Sequence, residues 1–244
     1  MKRSPSWQEV QRAFYDSPAG APHEDFQHAN PYFDFVLRRF LDAVAPKPGE
    51  RVLELGSSGG RFTLPLLEHG CRVTGVDLSA KAIEHLRRLA STHPQGQALK
   101  LVQDDAERLA GLPDRDFDAV VGAHILHHVD RLDEVAKRAR ERLRPGGRVV
   151  FVEPNPWNPQ WAVQIAIHPG RSWRVERGVY RVWPGRVRRA FIDAGFDCRV
   201  ETFGCFPPLV HNLFPGASRF ERLLERLPAL RRSFTLNVFV GQRR

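Results

Sequence analysis

Between residues 50 and 152, short apolar runs alternate with longer stretches in which apolar residues recur every three or four positions. Residues 51–55, 72–77, 98–103, 117–122 and 148–153 are compact, rich in Val, Leu and Phe, and bounded by Gly, Pro or Asp, which predicts five strands. Residues 79–90 predict a helix: Ser79 can cap it, and Ala82, Ile83, Leu86 and Leu89 or Ala90 form one apolar stripe. A second helix is predicted over 130–143, stopped by Arg144-Pro145-Gly146-Gly147. This rhythm means parallel strands joined by right-handed crossovers, an α/β doubly wound sheet.

After Glu153 the rhythm breaks. Pro154-Asn155-Pro156-Trp157-Asn158-Pro159 fits neither helix nor central strand and opens a stretch predicted to be irregular to about residue 183. A helix over 184–194 and a strand over 196–203 restore order before a second irregular segment around Cys205-Phe206-Pro207-Pro208. Phe220, Leu223, Leu224 and Leu227 then mark an amphipathic helix, read as core-facing with a solvated arginine-rich back, and 233–240 is the last strand. Upstream, Asn30-Pro31-Tyr32 starts the helix that leads into the first strand. The chain thus divides into an N-terminal helical cap, 1–49, and a main domain, 50–244, with insertions at about 154–183 and 204–232.

With 244 residues, 42% of them hydrophobic, the chain can bury a substantial core, which excludes wholesale disorder. Lys and Arg number 37 against 28 Asp and Glu, a net charge of +9, and only five of the 37 are Lys. Such basicity suits nucleic acid, an anionic lipid surface or an acidic substrate, although an arginine-rich composition also arises without any partner. Its distribution says more: residues 1–150 hold 22 basic and 21 acidic side chains, whereas 151–244 hold 15 and 7. Arg171, Arg174, Arg177, Arg181, Arg186, Arg188 and Arg189 fall in one run whose single acidic residue is Glu176. Cys71, Cys198 and Cys205 form no C-x-x-C, so neither a disulfide framework nor a cysteine metal site is expected. The N-terminus runs into charge, and the longest apolar stretch, residues 161–167, contains Gln164 and is too short to span a bilayer. A soluble, cytoplasmic protein is expected.

The first strand ends in Glu54-Leu55-Gly56-Ser57-Ser58-Gly59-Gly60, a glycine turn entering a helix. Such a turn lets a ligand approach bare backbone, but it is also generic to α/β folds. A dinucleotide G-x-G-x-x-G would need glycine where Ser58 and Arg61 stand, which disfavours NAD. Glu54 before the turn and Asp77 at the end of the second strand suit a ligand with an ammonium, a sulfonium and a ribose diol, Asp77 accepting from both hydroxyls.

These residues and three further segments resemble the class I S-adenosylmethionine-dependent methyltransferases, in their small-molecule, type 11-like branch. VLELGSSGGRF is similar to the first family motif, VTGVDLSAKAIEHLRR to the ribose-binding segment, and QDDAERL to the adenine-contacting one. FDAVVGAHILHHV followed by LRPGGRVVFVEP resembles the family's fourth and fifth strands. Serine at position 58, where the family usually has glycine, is a departure. The resemblance implies a seven-stranded, Rossmann-like sheet, mostly parallel with the last strand antiparallel. It further implies S-adenosyl-L-methionine as cofactor and S-adenosyl-L-homocysteine as product. Glu54, Gly56, Ser57, Ser58, Gly60, Asp77, Leu78, Asp105, Ala106 and Ala123 then become the cofactor-binding candidates, with no metal.

His124, His127 and His128 lie just past the fourth strand, where imidazole can accept a proton from an acceptor hydroxyl. His127 matches a position where related O-methyltransferases and phosphobase methyltransferases carry histidine and ranks first as base, with His128 second. Trp7, Phe14 and Tyr15 precede the domain, where family members often cover the cofactor, and Tyr15 is the third catalytic candidate. Trp157, Trp161, Trp173, Tyr180, Trp183, Phe203 and Phe206 suit a large apolar acceptor. The expectation is O-methylation of a lipid-, polyketide- or quinone-like small molecule, with contact to anionic lipid also open. C- or N-methylation and a nucleic-acid methyltransferase are the alternatives. The last is disfavoured because Gly122-Ala123-His124-Ile125 stands where base methyltransferases place Asn/Asp-Pro-Pro-aromatic. A non-catalytic interaction protein would bind no cofactor.

Overall fold

A computed structural model describes residues 5–17, 30–167, 173–214, 216–227, 230 and 233–244. Seven strands form one sheet in the order β3-β2-β1-β4-β5-β7-β6. They are β1 (Arg51–Leu55), β2 (Arg72–Asp77), β3 (Leu99–Gln103), β4 (Phe117–Ala123), β5 (Leu143–Pro154), β6 (Phe196–Phe203) and β7 (Leu236–Arg243). β1 to β5 pair in parallel, while β7 runs antiparallel to both β5 and β6.

The helices are α1 (Trp7–Tyr15), α2 (Pro31–Val44), α3 (Thr63–Glu68), α4 (Ala80–Thr92), α5 (Leu132–Arg142), α6 (Gln160–Ile167), α7 (Trp173–Glu176), α8 (Pro184–Asp193), α9 (Pro208–Leu213) and α10 (Ala217–Leu224). Neighbouring residues on the central strands point to opposite sides of the sheet. Leu53, Val120 and Phe151 join Val135, Val187 and Phe191 in one core, while Val52, Val121 and Val150 join Phe40, Val44 and Leu67 in the other. Caps begin the helices where the sequence sets them: Asn30 Oδ1 accepts from Phe33 N, and Ser79 Oγ from Ala82 N. Among the described residues, no helix is long and apolar enough to cross a membrane.

The differences from expectation have tertiary causes. β5 starts at Leu143, five residues early, because the Pro145-Gly146-Gly147 stop becomes an irregularity in its pairing with β4. β7 sits three residues later than expected, carried through Arg243 by pairing with Phe196 on β6. The stretch expected to be irregular after Glu153 contains α6, α7 and a 3₁₀ turn over Arg177–Arg181. Asn158 Oδ1 accepts from Gln160 N, so the proline-rich run that cannot itself be helical starts the next helix. α9 is likewise a helix the sequence reading does not foresee. Arg171 lies outside the described residues.

Candidate active site

Beyond the carboxyl ends of β1, β2 and β4 lies a cavity of about 400 Å³, within the range of small-molecule sites. Its floor is the glycine turn. Gly56 has a φ of 73°, and a Cβ there would press on Ile125. Ser58 also adopts a left-handed φ, 43°, which costs a non-glycine residue about 1 kcal/mol. Its backbone N–H donates to Asp77 Oδ2 at 2.8 Å, and Ser79 N donates to Oδ1 at 2.9 Å. Asp77 therefore ties the turn to the end of β2 while its carboxylate borders the cavity. Burial raises its pKa above the ordinary aspartate value, although backbone N–H donors oppose the shift. Ser57 Oγ is buried at the cavity wall and has no hydrogen-bond partner among the described residues. An unsatisfied hydroxyl beside a glycine turn leaves room for a polar ligand there.

Glu54 lies behind this wall. It is 2% exposed, accepts from Thr63 Oγ1 at 2.5 Å, and has its pKa pushed to about 8 by burial, with Asp77 adding to the rise. Asp105 borders the cavity, and its Oδ1 accepts from Glu107 N at 2.9 Å.

The opposite wall holds the histidines. His127 Nδ1 is 2.7 Å from Glu153 Oε2, and Nε2 is 3.5 Å from Glu176 Oε2. All three side chains are buried. The other oxygen of Glu153 accepts the N–H groups of Ile125 and Leu126 at 2.8 and 2.7 Å, so the end of β5 holds the loop after β4. Gly178 packs on the His127 backbone where no Cβ would fit, which brings the Glu176 segment close. Burial lowers the pKa of the His127 ring, but attraction to Glu153 and Glu176 outweighs it and raises the value to about 9. At neutral pH such a ring carries both protons and has no lone pair for a third.

One atom each from His127, His128 and Glu176 lies within 4.8 Å of the others, a spacing that could hold a cation. The proton on His127 already answers the two carboxylates, and a metal would have to displace it.

His128 faces α1. Its Nε2 is 3.0 Å from the Tyr15 hydroxyl, with the rings edge to face. Both border the cavity. α1 begins with a reciprocal cap between Ser6 and Glu9 and is fastened along its length. Trp7 Nε1 donates to His128 O at 2.7 Å, Gln8 Nε2 to Glu107 Oε1 at 2.6 Å, and Gln11 Nε2 to Val175 O at 3.0 Å. The Arg177 and Arg181 guanidinium groups lie 4.9 and 5.0 Å from the Trp7 ring centroid.

Residues 53–151 match the family profile described as "Methyltransferase domain". The chain is 32% identical over 158 residues to the fatty-acid O-methyltransferase of Mycolicibacterium smegmatis, covering 63% of this chain and 56% of that protein. It is 27% identical over 185 residues to the ubiquinone biosynthesis O-methyltransferase of Maricaulis maris, covering 72% and 70%. Most such matches span about half of the relative, as with the 46% of the Ralstonia nicotianae ubiquinone enzyme. The fold is that of a SAM-dependent methyltransferase from Archaeoglobus fulgidus, with a TM-score of 0.66 at 22% identity over 93% of this chain and all of that one. Residues 53–151 of this chain are a methyltransferase domain, set in a fold shared with S-adenosylmethionine-dependent methyltransferases.

Of the candidates expected in this family, Tyr15, Gly56, Ser57, Ser58, Asp77, Leu78, Asp105, Ala106, Ala123, His127 and His128 come together on one cavity. Glu54 and Gly60 are not among its lining residues and support it from behind. Within the run of arginines, Arg177 and Arg181 hold Trp7, Arg188 Nε donates to Cys198 O, and Arg189 pairs with Asp193. Sequence reasoning missed Glu153 and Glu176. Both carried a signal, the first as a carboxylate ending a strand beside β4, the second as the lone acid in the arginine run.

Proposed function

We propose that this chain transfers the methyl group of S-adenosyl-L-methionine to a hydroxyl of a largely apolar small molecule, with Tyr15 and His128 taking up the proton. The observation that carries this reading is the 3.0 Å Tyr15–His128 pair on the wall of the cavity that Asp77 and the glycine turn border. Bound cofactor would supply an electrophilic methyl on a sulfonium and leave as S-adenosyl-L-homocysteine. Asp77 would accept from the ribose hydroxyls, Asp105 and Ala106 would face the adenine, and Ser57 Oγ would gain a partner.

For the proton, His128 replaces His127 as the leading base. His127 acts one step back: its ring centroid lies 3.9 Å from that of His128, and it fixes the loop through Glu153. With Nε2 of His128 unprotonated, the Tyr15 hydroxyl donates to it and can accept in turn from an acceptor hydroxyl. α1 covers this pair and excludes water, which favours displacement at the methyl over loss to solvent. Ile125, Trp161 and Pro154 on the lining suit an apolar acceptor, as do the names of the fatty-acid and ubiquinone relatives.

Methyl transfer from isotope-labelled cofactor to fatty acids, phenolic quinone precursors and aromatic polyketide acids tests the proposal. His128→Ala should lower turnover about 100-fold or more and Tyr15→Phe about 10-fold or more, with cofactor affinity held within about twofold. Cofactor binding without transfer to any hydroxyl would favour a different use of this fold, such as that of the Talaromyces variabilis relative named an S-adenosyl-L-methionine-dependent Diels-Alderase, 35% identical over 126 residues.

A further inference from the structure

The amphipathic helix between β6 and β7 is inverted. The apolar stripe of α10 was expected to face the core, yet Phe220 and Leu223 are 64% and 61% exposed, and Leu227 in the turn that follows is 49% exposed. The side turned inward carries Ala217 and Glu221. Glu221 is completely buried, and its carboxylate accepts from Cys205 N at 2.6 Å, Phe206 N at 2.7 Å and His211 Nε2 at 2.9 Å. His211 in turn stacks on Phe35 of α2. Rolling α10 over to hide its apolar stripe would tear out a buried carboxylate with three donors, so the outward orientation is locked in.

α9 and the residue after it continue the surface, with Leu209, Leu213 and Phe214 all more than 60% exposed. Single exposed leucines need no explanation, but six large apolar side chains within nineteen positions do. Beside them Arg219, Arg222 and Arg226 repeat the i, i+3, i+7 spacing of Phe220, Leu223 and Leu227, forming a parallel exposed cationic stripe. An apolar stripe edged by arginine is the pattern of a helix lying in a membrane interface.

We infer that the α9–α10 ridge docks this protein on an anionic lipid surface, with the cavity mouth at the ridge's edge. Charge complementarity selects this occupant. A second copy meeting the ridge about a two-fold axis would set these arginines against their own images, whereas anionic headgroups neutralise them while the apolar stripe enters the acyl boundary. Position agrees: Pro208, the first residue of α9, lines the cavity, and α9 packs on α2, whose Tyr32 also lines it. A lipid-dissolved acceptor would enter past Pro208, a route that rests on the apolar acceptor proposed above, whereas the docking itself does not.

The test is sedimentation of the full chain, without cofactor or acceptor, with vesicles of phosphatidylcholine alone or mixed with phosphatidylglycerol, at low and high salt. The wild type should sediment with the mixed vesicles only and be released by salt. Arg222→Glu should weaken binding at least fivefold, and the double variant Phe220→Ser, Leu223→Ser should weaken it at least tenfold, both keeping the wild-type melting temperature because the sites are exposed. No binding to mixed vesicles, or unchanged binding by the double variant, would overturn the inference. So would a dimer in light scattering that the double variant dissociates, since a second copy would then cover the ridge. Because the assay contains no methyl donor, its failure leaves the O-methyl transfer reading standing, and a protein that binds vesicles but methylates no hydroxyl fails only the latter.

Discussion

A histidine serves as a base only while one ring nitrogen keeps its lone pair. His127, with Glu153 at one nitrogen and Glu176 at the other, has both nitrogens committed to protons, and its pKa rises to about 9. Since 6.5 is the ordinary value, the folded state binds this proton more tightly than the unfolded chain, and the stabilisation is complete below pH 6.5 and lost as pH rises through 9. The amount is on the order of 3 kcal/mol. Glu54, raised by burial to about 8, adds a loss in the same direction between its ordinary 4.5 and 8. Denaturant unfolding at pH 6 and 9.5 should therefore show a clear alkaline loss. In His127→Gln the protein should be less stable at pH 6 and flatter above 6.5, with the Glu54 component left and, above pH 9, that of the buried Cys71 and Cys198 thiols, which burial raises to about 11. A stability gap between the two proteins that stays constant from pH 6 to 9.5 would mean that His127 does not carry the extra proton.

At the scale of elements, α1 is the part of the site with the least core of its own. Gln11 is its one buried residue, and its hold comes from side-chain hydrogen bonds and from Trp7 beside two arginines. An element fastened in this way opens independently of the sheet. In Trp7→Ala, hydrogen exchange over residues 7–15 should quicken at least 10-fold, while β1, β4 and β5 keep their protection. Unchanged exchange in α1 would show that the ring is not what holds it. α10 makes the complementary point, because its periodicity defines an apolar stripe without saying which side stays wet. That is decided by Glu221, whose partners Cys205, Phe206 and His211 lie on neighbouring segments.

Across the whole molecule, what was legible in the sequence was what local pattern determines. The central strands are short, Val- and Leu-rich and buried along most of their length, so β1 and β2 begin and end where their residues say; the glycine turn and Asp77 at its side could be read for the same reason. The late end of β7 was not legible, because Gln242 and Arg243 look like a polar tail and become strand only through β5 and β6. Nor was the state of His127, since Glu153 and Glu176 reach it from 26 and 49 residues away. Ser58, where glycine was expected, takes a left-handed φ, and the Asp77 carboxylate accepts its N–H and holds the strained residue in place.

The central claim is that one cavity, built on the glycine turn and Asp77, holds S-adenosylmethionine and its product. Isothermal titration of S-adenosyl-L-homocysteine into the wild type and Asp77→Ala addresses it most directly. Loss of a charge-assisted pair costs about 2 to 3 kcal/mol, so the wild type should bind with Asp77→Ala about 30- to 150-fold weaker. Equal affinity in the two proteins, or no binding by a folded wild type, would contradict the account.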